Sequence, residues 1–217
     1  VAEVVATTEL DAVNEMLSIV GEAPVNSLDT GTADVLTAKR LLDRTNRFVQ
    51  SKGFTWNTEY GHQILPDSAS KFPVQTNWIT AKPRFGAYGS RILVQRGGFM
   101  YDTVGRTYTP PLSKVVVDVV VQLPWADLPE TARYYIQIRA GRIYMNRQLG
   151  IAEMDGYARG DEMLAWAALQ EEDARYGNYS IFKGATAADV LARGRTNVSG
   201  GGGHAGGGDV SPLPPIA

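Results

Sequence analysis

ADVLTAKRLLDRTNRFVQSKGFTWN, residues 33–57, holds the change of pattern on which the fold turns. Val35, Ala38, Leu41, Leu42, Thr45, Phe48 and Val49 recur at three- and four-residue steps, the spacing of one helix face. The other face carries Lys39, Arg40, Asp43, Arg44, Arg47 and Gln50, so a helix is expected over about 33–52. Gly53 would end it, because a residue without Cβ enters the left-handed region freely. From Phe54 onward aromatic and β-branched residues alternate with turn formers, which is the signature of short strands.

Upstream, Thr8 followed by Glu9, Asp11 and Glu15, with Leu10, Val13, Met16, Leu17 and Val20, predicts a helix over about 9–20 that stops at Gly21. Downstream, Arg91 to Tyr101 reads as a hairpin turning at Gly97 and Gly98. Lys114 to Leu123 reads as a strand with Val115, Val117, Val119 and Val121 on one face and Val116, Asp118 and Val120 on the other. Leu128, Pro129 and Glu130 open a helix running to about Leu149. It has two apolar stripes, Ala132, Tyr135, Ile136 and Ile143 against Tyr134, Ile138, Met145 and Leu149, so one side is available to a neighbouring subunit. A last helix, about Glu153 to Tyr176, would turn Met154, Tyr157, Ala158, Leu164, Ala165, Ala168 and Leu169 inward.

After Gly184 the apolar period fades, apart from a short helical turn expected at Ala187 to Leu191, and from Gly194 the chain is Gly-rich and closes on Pro212, Leu213, Pro214 and Pro215. Fully extended, its last residues would reach roughly 80 Å, far enough to touch another subunit. The fold class expected is α+β: a helical bundle in two parts (1–58 and 125–180), a β-rich module inserted at 59–124, and an extended arm at 181–217.

The 217 residues carry 21 Lys and Arg against 23 Asp and Glu, a formal net charge of −2, which argues against the basic surface of a nucleic-acid binder. No Cys is present, which removes disulfides, thiolate metal sites and thiol nucleophiles together. Val1 to Leu10 lacks a basic start and long apolar run, so no secretion signal is expected there, and no stretch is apolar enough to span a membrane.

Motifs that could carry chemistry are weak. His62 and His204 are the only histidines and have no second ligand near them in sequence, so no metal or other cofactor is expected. Ser68 and Lys71 have serine-hydrolase spacing without the companion motifs. Gly200 to Gly203 lacks the strand and the Lys-Ser or Lys-Thr of a phosphate loop. Asn197 to Ser199 matches a glycosylation sequon, inert in a chain that is not secreted, and Arg159, Gly160 and Asp161 spell an adhesion tripeptide inside a predicted helix. Glu171, Glu172 and Asp173 are adjacent and so diverge, as a solvated face would. A small hydrolase acting on a cell envelope through Glu59 or Asp67 is the competing reading, and needs a cleft with perturbed acids. Interface composition is stronger: Arg40, Arg44 and Arg47 stripe one helix, and Tyr134, Tyr135, Arg139 and Arg142 cluster on another.

ELDAVNEMLSIVGEAPVNSL (9–28), ADVLTAKRLLDRTNRFVQSKGFTWN (33–57), ILPD (64–67), VQRGGFMYD (94–102) and LPETARYYI (128–136) together resemble the tail tubular protein A family of short-tailed bacteriophages. The likeness weakens through 142–150 and the acidic last helix, and is poor over about 68–90 and from Gly194 on. It implies a structural protein without catalysis, made in the host cytoplasm and placed in the virion tail at the portal vertex. It implies a dodecameric ring that binds the portal on one side and the tail nozzle on the other, with tail fibres as a further candidate partner. DNA would pass through the ring without specific binding, for which near-balanced charge is suited. In that setting Arg40, Arg44, Arg47, Tyr134, Tyr135, Arg139 and Arg142 are expected at subunit contacts, and Val210, Pro212, Leu213, Pro214, Pro215 and Ile216 in an arm that docks on the portal.

Overall fold

The computed structural model describes residues 7–29, 32–84 and 88–177. The expected arm, with its docking residues, His204, the glycosylation sequon and the helical turn at 187–191, lies outside them.

Helix α1 (Glu9–Ile19) starts as its sequence dictates. Thr8 Oγ1 accepts the Asp11 N–H at 3.1 Å while the Asp11 carboxylate accepts the Thr8 N–H at 3.0 Å, a reciprocal cap on the helix's open donors. Ala12, Val13, Met16 and Leu17 are buried, and Gly21, at φ 81°, turns the chain away. Helix α2 (Ala33–Gln50) buries Val35, Ala38, Leu41, Leu42, Thr45 and Val49 as the period requires. Two expectations reverse here. Phe48 is half exposed, and Gln50 is fully buried although its spacing placed it on the polar face.

Gln50 is buried because it fastens the passage between helices and sheet. Its Oε1 accepts the Leu123 N–H at 2.8 Å and its Nε2 donates to the Leu123 carbonyl at 3.0 Å. Asn57 completes the junction by donating to the Gln50 carbonyl at 2.9 Å and the Val121 carbonyl at 3.2 Å, while its own oxygen accepts the Phe54 N–H. Between them Gly53 has φ 74°, and a Cβ there would stand 3.1 Å from Val120. Gly53→Ala is therefore expected to lower stability by about 1–2 kcal/mol, from the positive φ and the contact together, measured by urea denaturation.

The described strands fall between Thr58 and Val121. β1 (Thr58–Ile64), β2 (Trp78–Pro83) and β5 (Val115–Val121) make an antiparallel sheet in the order β1-β5-β2. β5 is central, and its Val115, Val117, Val119 and Val121 are buried with Phe72, Trp78 and Met100. Val120, on the opposite face, is also buried, against Gly53. β3 (Leu93–Arg96) and β4 (Phe99–Asp102) form the expected hairpin, with Gly97 and Gly98 both at positive φ, as a two-residue turn between twisted strands needs. Beyond it the buried Asp102 carboxylate accepts the Val104 and Gly105 N–H groups at 3.0 Å and pairs with Arg91 at 2.7 Å. β2 lies in the stretch whose strand the sequence pattern did not reveal.

Helix α3 (Glu130–Gln148) is central to the helical part. Its first stripe, Ala132, Tyr135 and Ile136, is buried; of its second, Met145 is buried while Tyr134 and Leu149 are exposed. The α1–α2 pair packs on it, where Gly141 lets Ile19 and Met16 approach, and α4 (Ala152–Gly177) packs along it as well. α4 buries Ala165 and Leu169 as expected but is rotated enough that Glu162 is buried with them while Met154, Tyr157 and Leu164 face outward. The reason is electrostatic. Arg139 and Arg142 of α3 lie beneath α4 and must meet carboxylates, so the Asp155–Glu162 side turns inward.

Candidate intersubunit surface

The inner face of α4 is held by an ion-pair cluster. Arg142 bonds Asp155 at 2.7 Å and Glu162 at 2.7 Å, Arg139 bonds the same Glu162, and Asn146 and Arg159 complete the ring around Asp155. Hydrogen bonds from Arg142 first, then from Asn146, hold the Asp155 carboxyl at about 2, below its ordinary 3.8. The Asp11 carboxyl is lowered by the Thr8 hydroxyl, and that of Asp102 chiefly by the Gly105 N–H. Each depressed group adds stability that is complete above the unfolded value near 4 and is lost as pH falls through the folded value. Stability should therefore decline from about pH 4 toward pH 2. Asp155→Asn should flatten that decline in denaturant midpoints measured across the range, leaving the slope above pH 5 unchanged.

Three of the residues expected at subunit contacts, Tyr135, Arg139 and Arg142, thus serve the chain's own α3–α4 packing. Arg139 also lies over the Phe48 ring at 5.3 Å, and Arg142 is mostly enclosed by its two carboxylates. Tyr135 is buried against Trp166, ring centroids 4.9 Å apart, and its hydroxyl accepts from Arg139 at 3.3 Å; burial raises its phenol pKa above the usual value. Tyr134 is different. It is half exposed on the rim of a groove of about 460 Å³ between α1, α3 and α4, beside Ile138, Met154 and Tyr157. Arg40, Arg44 and Arg47 are exposed along α2, and none forms an ion pair with any described residue.

The outward face of α4 is the feature that sequence reading missed. Tyr157 is 82% and Leu164 73% exposed, with Met154, Asp161 and Ala168 on the same stripe at steps of three and four. Both faces of α4 are therefore apolar in part, and the sequence pattern alone could not say which one the core takes. The seven-residue step from Asp155 to Glu162, against the three-residue step from Arg139 to Arg142, was the available signal. Of the three adjacent acids, Asp173 accepts the Thr55 N–H at 2.7 Å, Glu172 the Thr131 hydroxyl, and Glu171 pairs with Arg175. They point three ways, but two are structural ties and not solvated groups.

The residues weighed for chemistry are used locally. His62, in β1, meets Glu59 and packs edge-on against Trp78. Asp67 accepts the Ala69 N–H at 2.9 Å and the Lys71 N–H at 2.8 Å, which binds the Ser68–Lys71 spacing into a turn. Among the described residues no group of three or more His, Asp or Glu could hold a metal, and no helix is long and apolar enough to cross a membrane.

The sequence matches the family described as Tail tubular protein over residues 10–179, from α1 to just past α4. The chain belongs to the tail tubular protein family. Among its relatives is the Tail tubular protein A of Klebsiella phage KP34, 26% identical over 164 residues, which are 75% of this chain and 86% of that protein. The family assignment makes this a structural protein of a bacteriophage tail, working in a complex with other virion proteins. The family match takes in both described sheets and the four described α-helices, including the 68–90 stretch where the sequence resemblance was poor.

Proposed function

We propose that this tail tubular protein is the subunit of a ring adaptor at the portal vertex, joining portal to tail nozzle and surrounding the DNA channel. The observation that carries the reading is the outward face of α4: a single chain leaves Tyr157 and Leu164 in water on a long helix, as a protein built to be packed by neighbours does. Family membership and the relative's tail tubular A type support the adaptor position. Heterologous contacts repeat around such a ring until the rotation closes, and twelve copies is the number the resemblance suggests.

In this arrangement the helical part (1–58 and 125–180) makes the ring wall, with Arg40, Arg44, Arg47 and Tyr134 as its contact residues. Tyr135, Arg139 and Arg142 act beneath them by setting the rotation of α4. The β-rich module at 59–124 faces the nozzle. The 181–217 arm, through Val210, Pro212, Leu213, Pro214, Pro215 and Ile216, reaches the portal and adds avidity to the ring contact. Near-balanced charge suits a wall past which DNA slides, since each phosphate contact would add drag. Reconstruction of the portal vertex from intact virions tests the placement. A ring of this chain between portal and nozzle is expected, and its density elsewhere in the tail would overturn the reading.

A further inference from the structure

α4's outer stripe runs Met154, Tyr157, Asp161, Leu164, Ala168, at alternating steps of three and four. That is the spacing of a seam that packs along a second helix. Its carboxylates at Glu153 and Asp161 are exposed and pair with no described residue. α2 carries the complement. Leu36, Arg40, Asp43 and Arg47 follow steps of four, three and four on its outer side, with Arg44 beside them, and the three arginines likewise have no partner among described residues. Leu36 at the head of the stripe is 41% exposed.

The two stripes sit on different helices, and no ion pair among the described residues joins them. α3 turns Tyr135 and Arg142 toward α4 and Gly141 toward α1, and the α4 stripe's Met154, Tyr157 and Asp161 border the groove that α4 shares with α1 and α3. Within one chain neither stripe pairs the charges of the other. Between two chains they can, front to back, which is the arrangement a ring requires.

We infer that the outer face of α4 in one copy packs on the Arg40–Arg44–Arg47 face of α2 in the next. Arginine stems lie over Tyr157 and Leu164 while their guanidinium groups reach Asp161 and Glu153, so apolar area is covered and both charge sets are paired in one contact. The tyrosine face adds a cation–π contact. A self-paired α4 seam would instead set Asp161 against its own copy. The inference rests on the ring reading and supplies its interface.

Because the chain has no cysteine, the contact can be mapped with introduced thiols. Leu164→Cys is mixed with Leu36→Cys, Arg40→Cys or Arg47→Cys, the ring is assembled on purified portal, and a short bis-maleimide is added. At least one mixture should give a covalent dimer, and the corresponding double variant in one chain should give a ladder ending at the full ring. A dimer from Leu164→Cys alone, a cross-link only to portal, or no cross-link in rings of wild-type mass would each overturn the α4–α2 contact while leaving the ring intact. Absence of any assembly by the unaltered chain would instead overturn the ring reading itself. A second arm is independent of cysteine geometry. Glu153→Lys with Asp161→Lys should weaken assembly at least tenfold, and Arg40→Glu with Arg44→Glu on the same chain should restore it; failure to restore contradicts the pairing.

Discussion

Gln50→Ala is expected to lower the free energy of unfolding by about 3 kcal/mol, the sum of two partly buried backbone groups left without partners. Gln50 is fully buried, and its side-chain amide serves both the N–H and the carbonyl of Leu123, where the chain leaves the sheet and returns to the helices. Leu123 touches the helical core and the sheet core alike. Alanine removes both bonds. Gln50→Glu keeps an acceptor for the Leu123 N–H but loses the donor to its carbonyl and buries a charge, so it should be no milder. Equilibrium urea unfolding followed by tryptophan fluorescence gives the loss. Hydrogen exchange should show protection falling first in β5 and the 121–125 crossing, and a uniform fall across the molecule would contradict a junction role.

Glu162→Ala is expected to cost about 2–3 kcal/mol, below the full value of a broken buried pair because Arg139 and Arg142 keep partial contact with water. Glu162 is shared by both arginines, so its removal leaves Arg142 with Asp155 and Arg139 with the Tyr135 hydroxyl and the Phe48 ring. Glu162→Gln, which keeps acceptor geometry without the charge, should lose about half as much. The loss should concentrate in α4 amides by hydrogen exchange. Ring assembly should fall with it, because α4's outer stripe is aimed by its inner one. Full assembly by a Glu162→Ala protein whose α4 is unprotected would separate the two faces and contradict that coupling.

How far the sequence could be read follows from which interactions have a period. α1, α2 and the β3–β4 hairpin were legible because caps, apolar spacing and a Gly-Gly turn are local devices, and Thr8, Gly53 and Gly97 do what their chemistry predicts. β5 was legible from alternating valines. Gln50 was misread because its burial depends on Leu123, 73 residues away, and no local pattern encodes that. α4 was misread for a related reason. Its two faces are both partly apolar, and the choice between them is made by Arg139 and Arg142 on another helix. The resemblance named the family correctly from short motifs, while the expected contact residues divided in the structure. Arg40, Arg44, Arg47 and Tyr134 are presented to solvent, and Tyr135, Arg139 and Arg142 are turned to α4.

The central claim is that this chain closes into a ring on the portal. Native mass spectrometry of the purified protein, alone and mixed with its portal, tests it most directly. A discrete complex with one copy per portal subunit is predicted, even if the free protein is a monomer. A chain that stays monomeric and leaves the portal's mass unchanged would contradict it.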